Sequence, residues 1–364
     1  MFLDDTTIKE GLYPFTATRH AADIRIGILT IREKWQYVCA NHIVNNDNAG
    51  ISNDLLFDGK SYLKVPANII PTKKWMIAFS HKIEIGSEIA DDYNSELIKT
   101  LHYPWQIFQY NDWALRQDFE MITSDRISQT ISPTNKVTSP ENIFLEEGAI
   151  VEHCILNASE GPIYIGKNSL IMEGCMIRGA FALCESAVLK MGSKIYGATT
   201  IGPYCNAAGE IKNTIMFGYS NKAHDGYLGD SVIGEWCNLG AGTSNSNVKN
   251  TAGEVKVWNN SNRTYIPVGL KCGLLMGDYS RAAINTSFNT GTVVGVCCNI
   301  FGSTFPPKHL PDFTWGEETY NFDKALQDIN NWKKIKGQNI TPQEIIILKQ
   351  LYNNLQHEKT NSCG

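Results

Sequence analysis

The chain of 364 residues has no long run of one charge sign and no stretch of 18 or more apolar residues. Without such a stretch it offers no ordinary membrane-spanning helix. Its formal net charge is −5 and no basic cluster stands out, which argues against a nucleic-acid footprint. An anionic substrate must then be met by a few placed cations, because the overall field does not attract it. Residues 1–20 lack a basic segment followed by an apolar one, so no signal peptide is read and a cytoplasmic protein is expected. No Cys-x-x-Cys pair with a matching histidine cluster occurs, and no structural metal is expected. The ten cysteines therefore read as free intracellular thiols, and the adjacent Cys297 and Cys298 are awkwardly placed for a bridge.

What the sequence does have is a period. Ile165, Ile171, Ile177, Leu183, Leu189, Ile195, Ile201 and Ala207 recur every sixth residue without a gap. An earlier frame passes through Leu145, Val151 and Ile163, and a later one through Ile215, Tyr227, Ile233 and Leu239. Four residues after most leading positions the side chain is small, as at Ser169, Cys175, Ala187, Ser193, Thr199 and Cys205. Period six fits neither an α-helix nor an alternating strand. It fits a prism with three flat faces, in which each hexad gives one short strand and one tight corner. A sandwich of short strands would instead show alternation and turn signals every 8–12 residues. The expected fold is a left-handed parallel β-helix, in which residues 18 apart lie above one another.

Residues 244–266, rich in Asn, Ser and Thr, leave the repeat and should form an extruded loop, a common place for function. Repeat-like phrasing returns at Val268, Leu274, Val294 and Ile300 and should end near Phe305-Pro306-Pro307. Residues 1–140 read as a small α/β domain, with a strand at Met1–Asp4, a helix over residues 27–38, and apolar segments at residues 51–59 and 75–86. Residues 141–305 hold the β-helix. Residues 306–364 form a helical extension, whose second helix opens with Thr341 as N-cap and Pro342 at N1. Packing on the prism end or on a neighbour is the expected role of that extension.

The stretch Glu210–Asn247 reads EIKNTIMFGYSNKAHDGYLGDSVIGEWCNLGAGTSNSN. Its elements EIKN, KAH with a tyrosine three residues on, YLGD, NLGAGT and Asn247 resemble the acetyltransferase half of the bifunctional glucosamine-1-phosphate acetyltransferase/N-acetylglucosamine-1-phosphate uridyltransferase. The resemblance implies that His224 is a general base and that Lys212 and Tyr227 contact a sugar phosphate. It implies further that Asn238 and Asn247 position the sugar, and that Gly240, Ala241 and Gly242 lie against acetyl-CoA as co-substrate. That family has an arginine one coil above the lysine, where Lys194 stands here. The N-terminal LYPFTATRHAADIRIG resembles the second half of the sugar-1-phosphate nucleotidyltransferase signature. The phosphate-binding glycines of that signature are replaced by Leu3-Asp4-Asp5-Thr6-Thr7, whose carboxylates would repel a triphosphate, although Asp4 and Asp5 offer an alternative metal site.

The residues support the same reading on chemical grounds. Acyl transfer from a thioester needs a nucleophile relieved of its proton, and a neutral imidazole suits that task. Backbone amides of the Gly240–Gly242 corner suit a developing oxyanion. Lys194 and Lys212 should stack one coil apart as a cationic spot. His224 lies where the inward aliphatic is missing and Asn221 takes its place, a break in the scaffold rule. The leading expectation is thus a homotrimeric acetyl-CoA-dependent transferase acting on an amino-sugar phosphate or sugar nucleotide. Two alternatives stay open: a Mg-dependent sugar-1-phosphate nucleotidyltransferase using the N-terminal domain, and a non-catalytic trimeric scaffold that binds a sugar nucleotide.

Overall fold

The computed structural model describes residues 2–39, 56–57, 60–61, 64–75 and 97–362. Its middle is a left-handed parallel β-column with three faces. The first face stacks six strands, from Lys136–Thr138 to Tyr227–Gly229. The second stacks nine, from Ile143–Leu145 to His309–Leu310. The third runs from Ile150–Val151 to Thr314–Trp315 and is closed by the antiparallel Glu318–Thr319. Two short strands, His309–Leu310 and Thr314–Trp315, thus stack beyond Pro306–Pro307.

Register explains the period. Ile165 pairs with Leu183 and Leu183 with Ile201, while Ile171 pairs with Leu189 and Leu189 with Ala207. Each partner is eighteen positions on, one coil, so the inward aliphatics form a continuous buried file. Each fully buried aliphatic is worth about 1.5–3 kcal/mol. The corners need a left-handed backbone: Asn168, Ser186, Tyr204, Tyr219 and Trp236 have φ between 54° and 59°. For non-glycine residues that conformation costs about 1–2 kcal/mol each. At one edge stacking offsets it, because the rings of Tyr204 and Tyr219 lie 4.9 Å apart and those of Tyr219 and Trp236 4.3 Å.

The spacing changes after residue 201, and with it the facing of the side chains. Ile201 pairs with Met216 and Ala207 with Lys222, only fifteen positions on, while Ile211 pairs with Leu228, seventeen on. Met216 and Leu228 therefore point inward, and not Ile215 and Tyr227 as the strict period predicted. Ile215 packs outward against the N-terminal region, and Tyr227 is half-buried on the first face. The inward position next to the missing aliphatic is likewise taken by Lys222, whereas Asn221 faces outward and accepts a bond from Asn206 at 2.9 Å.

After the strand Ser244–Asn245 the expected loop contains an antiparallel hairpin, Lys256–Asn259 with Thr264–Pro267. Val268 belongs to that excursion, and Leu274 is the first residue back in the file. The N-terminal strand is Phe2–Asp4, and the predicted helix begins only at Ile31, running to Cys39. Thr30 and Glu33 form a capping box there, with Thr30 N–H donating to Glu33 Oε2 at 2.6 Å and Glu33 N–H to Thr30 Oγ1 at 3.1 Å. Gly27 stays outside the helix at φ +72°, its amide donating to Asn111 Oδ1 at 2.7 Å. Residues 51–55 and 76–86 lie outside the described residues.

Asn111 also bridges to the column, donating from Nδ2 to the Ala198 carbonyl at 2.9 Å. A second clamp comes from Arg19, which pairs with Asp278 and lies 3.2 Å from Glu235. At the other end, helices Phe322–Ile335 and Pro342–Ser362 pack along the aromatic edge. Lys333 Nζ sits 4.8 Å from the Trp236 ring and donates to Glu344 Oε1 at 2.5 Å. Thr341 and Glu344 complete the predicted cap. Eight cysteines among the described residues are free and buried, five of them within the file. No described helix is long and apolar enough to cross a membrane.

Candidate active site

The edge between the third and first faces carries the residues singled out in the sequence. Asn221–Lys222 ends a strand of the third face, residues 223–226 turn the corner, and Tyr227–Gly229 begins a strand of the first. His224 is at the tip of this corner and its side chain is exposed. The turn is tight: Gly226 has φ +130°, and a Cβ there would meet the Thr243 carbonyl at 2.1 Å. One coil on, the Gly240–Gly242 corner stacks directly on it, because the Gly242 amide donates to the Asp225 carbonyl at 3.0 Å.

Beside this edge the first face holds a polar network. Asn247 Nδ2 donates to the Tyr227 hydroxyl at 3.1 Å and to Asp230 Oδ2 at 2.5 Å. Asp230 accepts a second amide, Asn213 Nδ2, at 2.6 Å. The Tyr227 ring folds back over its own strand, so a Cβ on Gly229 would lie 2.2 Å from its hydroxyl, which explains the glycine of YLGD. Burial and the Asp230 charge push the Tyr227 phenol well above its usual range, so it stays protonated. One strand along, the Tyr196 hydroxyl donates to Glu210 Oε1 at 2.6 Å, and that bond raises its pKa to about 12. Lys212 Nζ lies 5.6 Å from the centre of the Tyr196 ring.

Lys212, Tyr227 and Asn247 thus share one face, with Lys212 in register with Gly229, and His224 is at the corner where that face begins, three residues before Tyr227. Asn238 is on the third face, beside Asn221 and across the edge. Lys194 is exposed and pairs with Glu210, so it does not stack on Lys212, whose partners are Tyr196 and Gly229. The coil between them is sixteen residues, not eighteen, and this shift separates the two lysines in register. The corner amides are also less available than expected, since Gly240 N–H donates to Ala282 O and Gly242 N–H to Asp225 O. Of the three, only the Ala241 amide makes no hydrogen bond among the described residues. Tyr196, Glu210, Asn213 and Asp230 complete the network without having been singled out. Glu210, Asn213 and Asp230 lie in the EIKN and YLGD motifs, and their coming together follows from the shortened coil, which the even period concealed.

Inside the column Lys222 is 1% exposed. Its ammonium donates to the His224 carbonyl at 2.5 Å and to the Ala208 carbonyl at 3.3 Å. Burial lowers its pKa to about 8, opposed by the attraction of Asp225.

A separate cavity of about 1080 Å³ opens between the N-terminal segment, the hairpin and the last helix, lined by Lys9, Asp23, Asn260, Asp312 and Gln350 among others. The two carboxylates near it that the sequence singled out, Asp4 and Asp5, already have partners. Asp5 accepts the Ala21 amide at 3.1 Å and lies 3.5 Å from His20 and 3.9 Å from Lys9, while Asp4 accepts Thr6. Among the described residues no three His, Cys, Asp or Glu side chains cluster as metal ligands.

Comparison with known proteins gives partial matches. Residues 1–56 match the sugar nucleotidyl transferase family. The Bifunctional protein GlmU of Methanocaldococcus jannaschii is 34% identical over 106 residues, 29% of this chain and 26% of that protein. That of Methanococcus maripaludis (strain C5) is 26% identical over 241 residues, 63% of this chain and 50% of the relative. The Bifunctional sugar-1-phosphate nucleotidylyltransferase/acetyltransferase of Sulfurisphaera tokodaii is 28% identical over 198 residues, 54% of this chain and 43% of the relative. The chain spans half or less of the length of these curated relatives. Part of the chain is thus similar to sugar nucleotidyl transferases and to bifunctional nucleotidylyltransferase/acetyltransferases, and its main body is a parallel β-column.

Proposed function

We propose that this protein is an acyl-CoA-dependent transferase, using acetyl-CoA to acylate an amino-sugar phosphate or a sugar nucleotide, with His224 as general base. The observation that carries this reading is an exposed imidazole at the corner that opens the face bearing Lys212, Tyr227 and Asn247. The acceptor amine or hydroxyl attacks the thioester carbonyl while the imidazole takes its proton. Collapse of the tetrahedral adduct breaks the C–S bond, and the imidazolium returns the proton to the departing thiolate. In this reading the Ala241 amide, which makes no hydrogen bond among the described residues, serves the oxyanion, and Gly240 and Gly242 shape the surface along which the thioester lies. Lys212 supplies a charge for the phosphate, Tyr227 and Asn247 orient the sugar, and Asn238 contributes across the edge. Lys194, exposed at the rim of the same face, is a weaker phosphate contact, since an ammonium lacks the bidentate fork of a guanidinium. A trimer is the assembly this fold suits, because a flat face buries well against a neighbour under three-fold symmetry.

The test is release of free CoA in the presence of glucosamine phosphates and of amino-sugar nucleotides, compared with His224→Ala. A second reading rests on the family match over residues 1–56, namely nucleotidyl transfer to a sugar-1-phosphate. Release of pyrophosphate from a nucleoside triphosphate and a sugar-1-phosphate with added Mg²⁺ would support it.

A further inference from the structure

His224 is tied to the rest of the protein by very little. Among the described residues, the only hydrogen bond it makes, by backbone or side chain, is the one its carbonyl accepts from Lys222. Lys222 occupies an inward position, between Ala207 and Leu239 in the file, where the fold elsewhere places an aliphatic. The small Ala207 leaves room for the long stem, and the ammonium reaches out of the file to the corner. There it joins two carbonyls that belong to successive coils, Ala208 and His224. Burying an ammonium carries a large desolvation penalty. A leucine at this position would fill the column as Leu239 does and avoid that penalty, so packing alone does not account for a lysine. What a leucine cannot do is donate to the His224 carbonyl.

We propose that Lys222 is a positioning residue: held inside the column, its ammonium fixes the corner backbone and thereby aims the His224 imidazole. The role rests on the reading of His224 as general base, but the positioning itself does not depend on which reaction is run. Gly226 at the far end of the corner is pressed against the Thr243 carbonyl, so the turn is pinned at that end by packing and at the other by Lys222. Removing the ammonium frees the His224 end alone.

The experiment is Lys222→Met, which keeps the stem and deletes the charge, studied in the full chain. The His224 imidazole resonance is identified among those of the eight histidines by its loss in His224→Gln. The expected result is that in K222M the His224 resonance shifts or broadens while the other histidines keep theirs. The thermal midpoint is retained or raised, and kcat for acyl transfer falls at least about tenfold with KM for acyl-CoA unchanged. A changed His224 resonance in a protein that transfers no acyl group would uphold the positioning and remove the proposed reaction. An unchanged His224 resonance overturns the positioning, whatever the enzyme activity. If K222M does not fold, Lys222→Gln, which is shorter but still polar, is read in the same way.

Discussion

At the scale of single residues, the site depends on side chains with defined partners, and each makes a distinct prediction. Tyr227→Phe removes the acceptor that holds one Asn247 N–H while leaving the ring over Gly229. It should cost about 1 kcal/mol of stability or less and raise KM for the sugar acceptor more than it lowers kcat. Steady-state kinetics with varied acceptor decide this, and a loss confined to kcat would move Tyr227 from binding to chemistry. Lys222 makes a prediction about pH. Unfolded, its ammonium keeps its proton to about 10.5, and folded it releases it near pH 8. Between those values unfolding takes up a proton, so raising the pH favours the folded state. Stability of the native protein relative to Lys222→Met should therefore rise from about pH 8 to about 10.5 and be flat below that window. Denaturant titrations at a series of pH values measure the difference, and a parallel course for the two proteins would contradict the burial assigned to the ammonium.

At the scale of elements, the sequence made the straight part of the column legible and concealed the part that matters most for the site. From residue 165 to 207 the aliphatics recur every sixth position because every coil there is eighteen residues long. Where the coils shorten to fifteen, sixteen and seventeen residues, the rule mislocates the facing of Ile215, Asn221 and Tyr227. Nothing in composition marks those shortenings, which fall between Ala207 and Ile211 and between Ile211 and Met216. The motifs around His224, by contrast, were readable by resemblance alone, and the structure joins Tyr227 to Asn247 while it sets Lys194 out of register with Lys212. The clamps between the N-terminal region and the column were invisible beforehand, because they join residues far apart in sequence. Asp278 accepts Thr18 and Arg19 and also receives the Glu235 amide at 2.7 Å. Asp278→Asn removes the charge opposite a buried guanidinium, which should destabilise the contact by about 3–5 kcal/mol. Amide hydrogen exchange over residues 15–30 should accelerate while the exchange of the column between residues 165 and 207 stays slow. Equal protection of residues 15–30 in both proteins would show that the Asn111 bridge alone holds the N-terminal region.

At the scale of the whole molecule, the proposed site stands on one edge of a long column that is braced by an N-terminal α/β region and by two helices. His224 and the 240–242 corner stand on an outer edge, and an edge of one column excludes little water by itself. A second column laid against it would close the groove, which is the physical ground for the trimer. Sedimentation equilibrium should accordingly give about three times the 40.6 kDa chain mass, and a monomer at micromolar concentration would leave the groove open and contradict the assembly. The central claim is narrower and can be tested directly. Free CoA released from acetyl-CoA is measured with glucosamine phosphates and amino-sugar nucleotides as acceptors, for the native protein and for His224→Ala. The account predicts acceptor-dependent release by the native protein and a loss of about 10²–10⁴-fold in the variant, with its thermal midpoint unchanged. Acceptor-dependent release that survives intact in His224→Ala would contradict it.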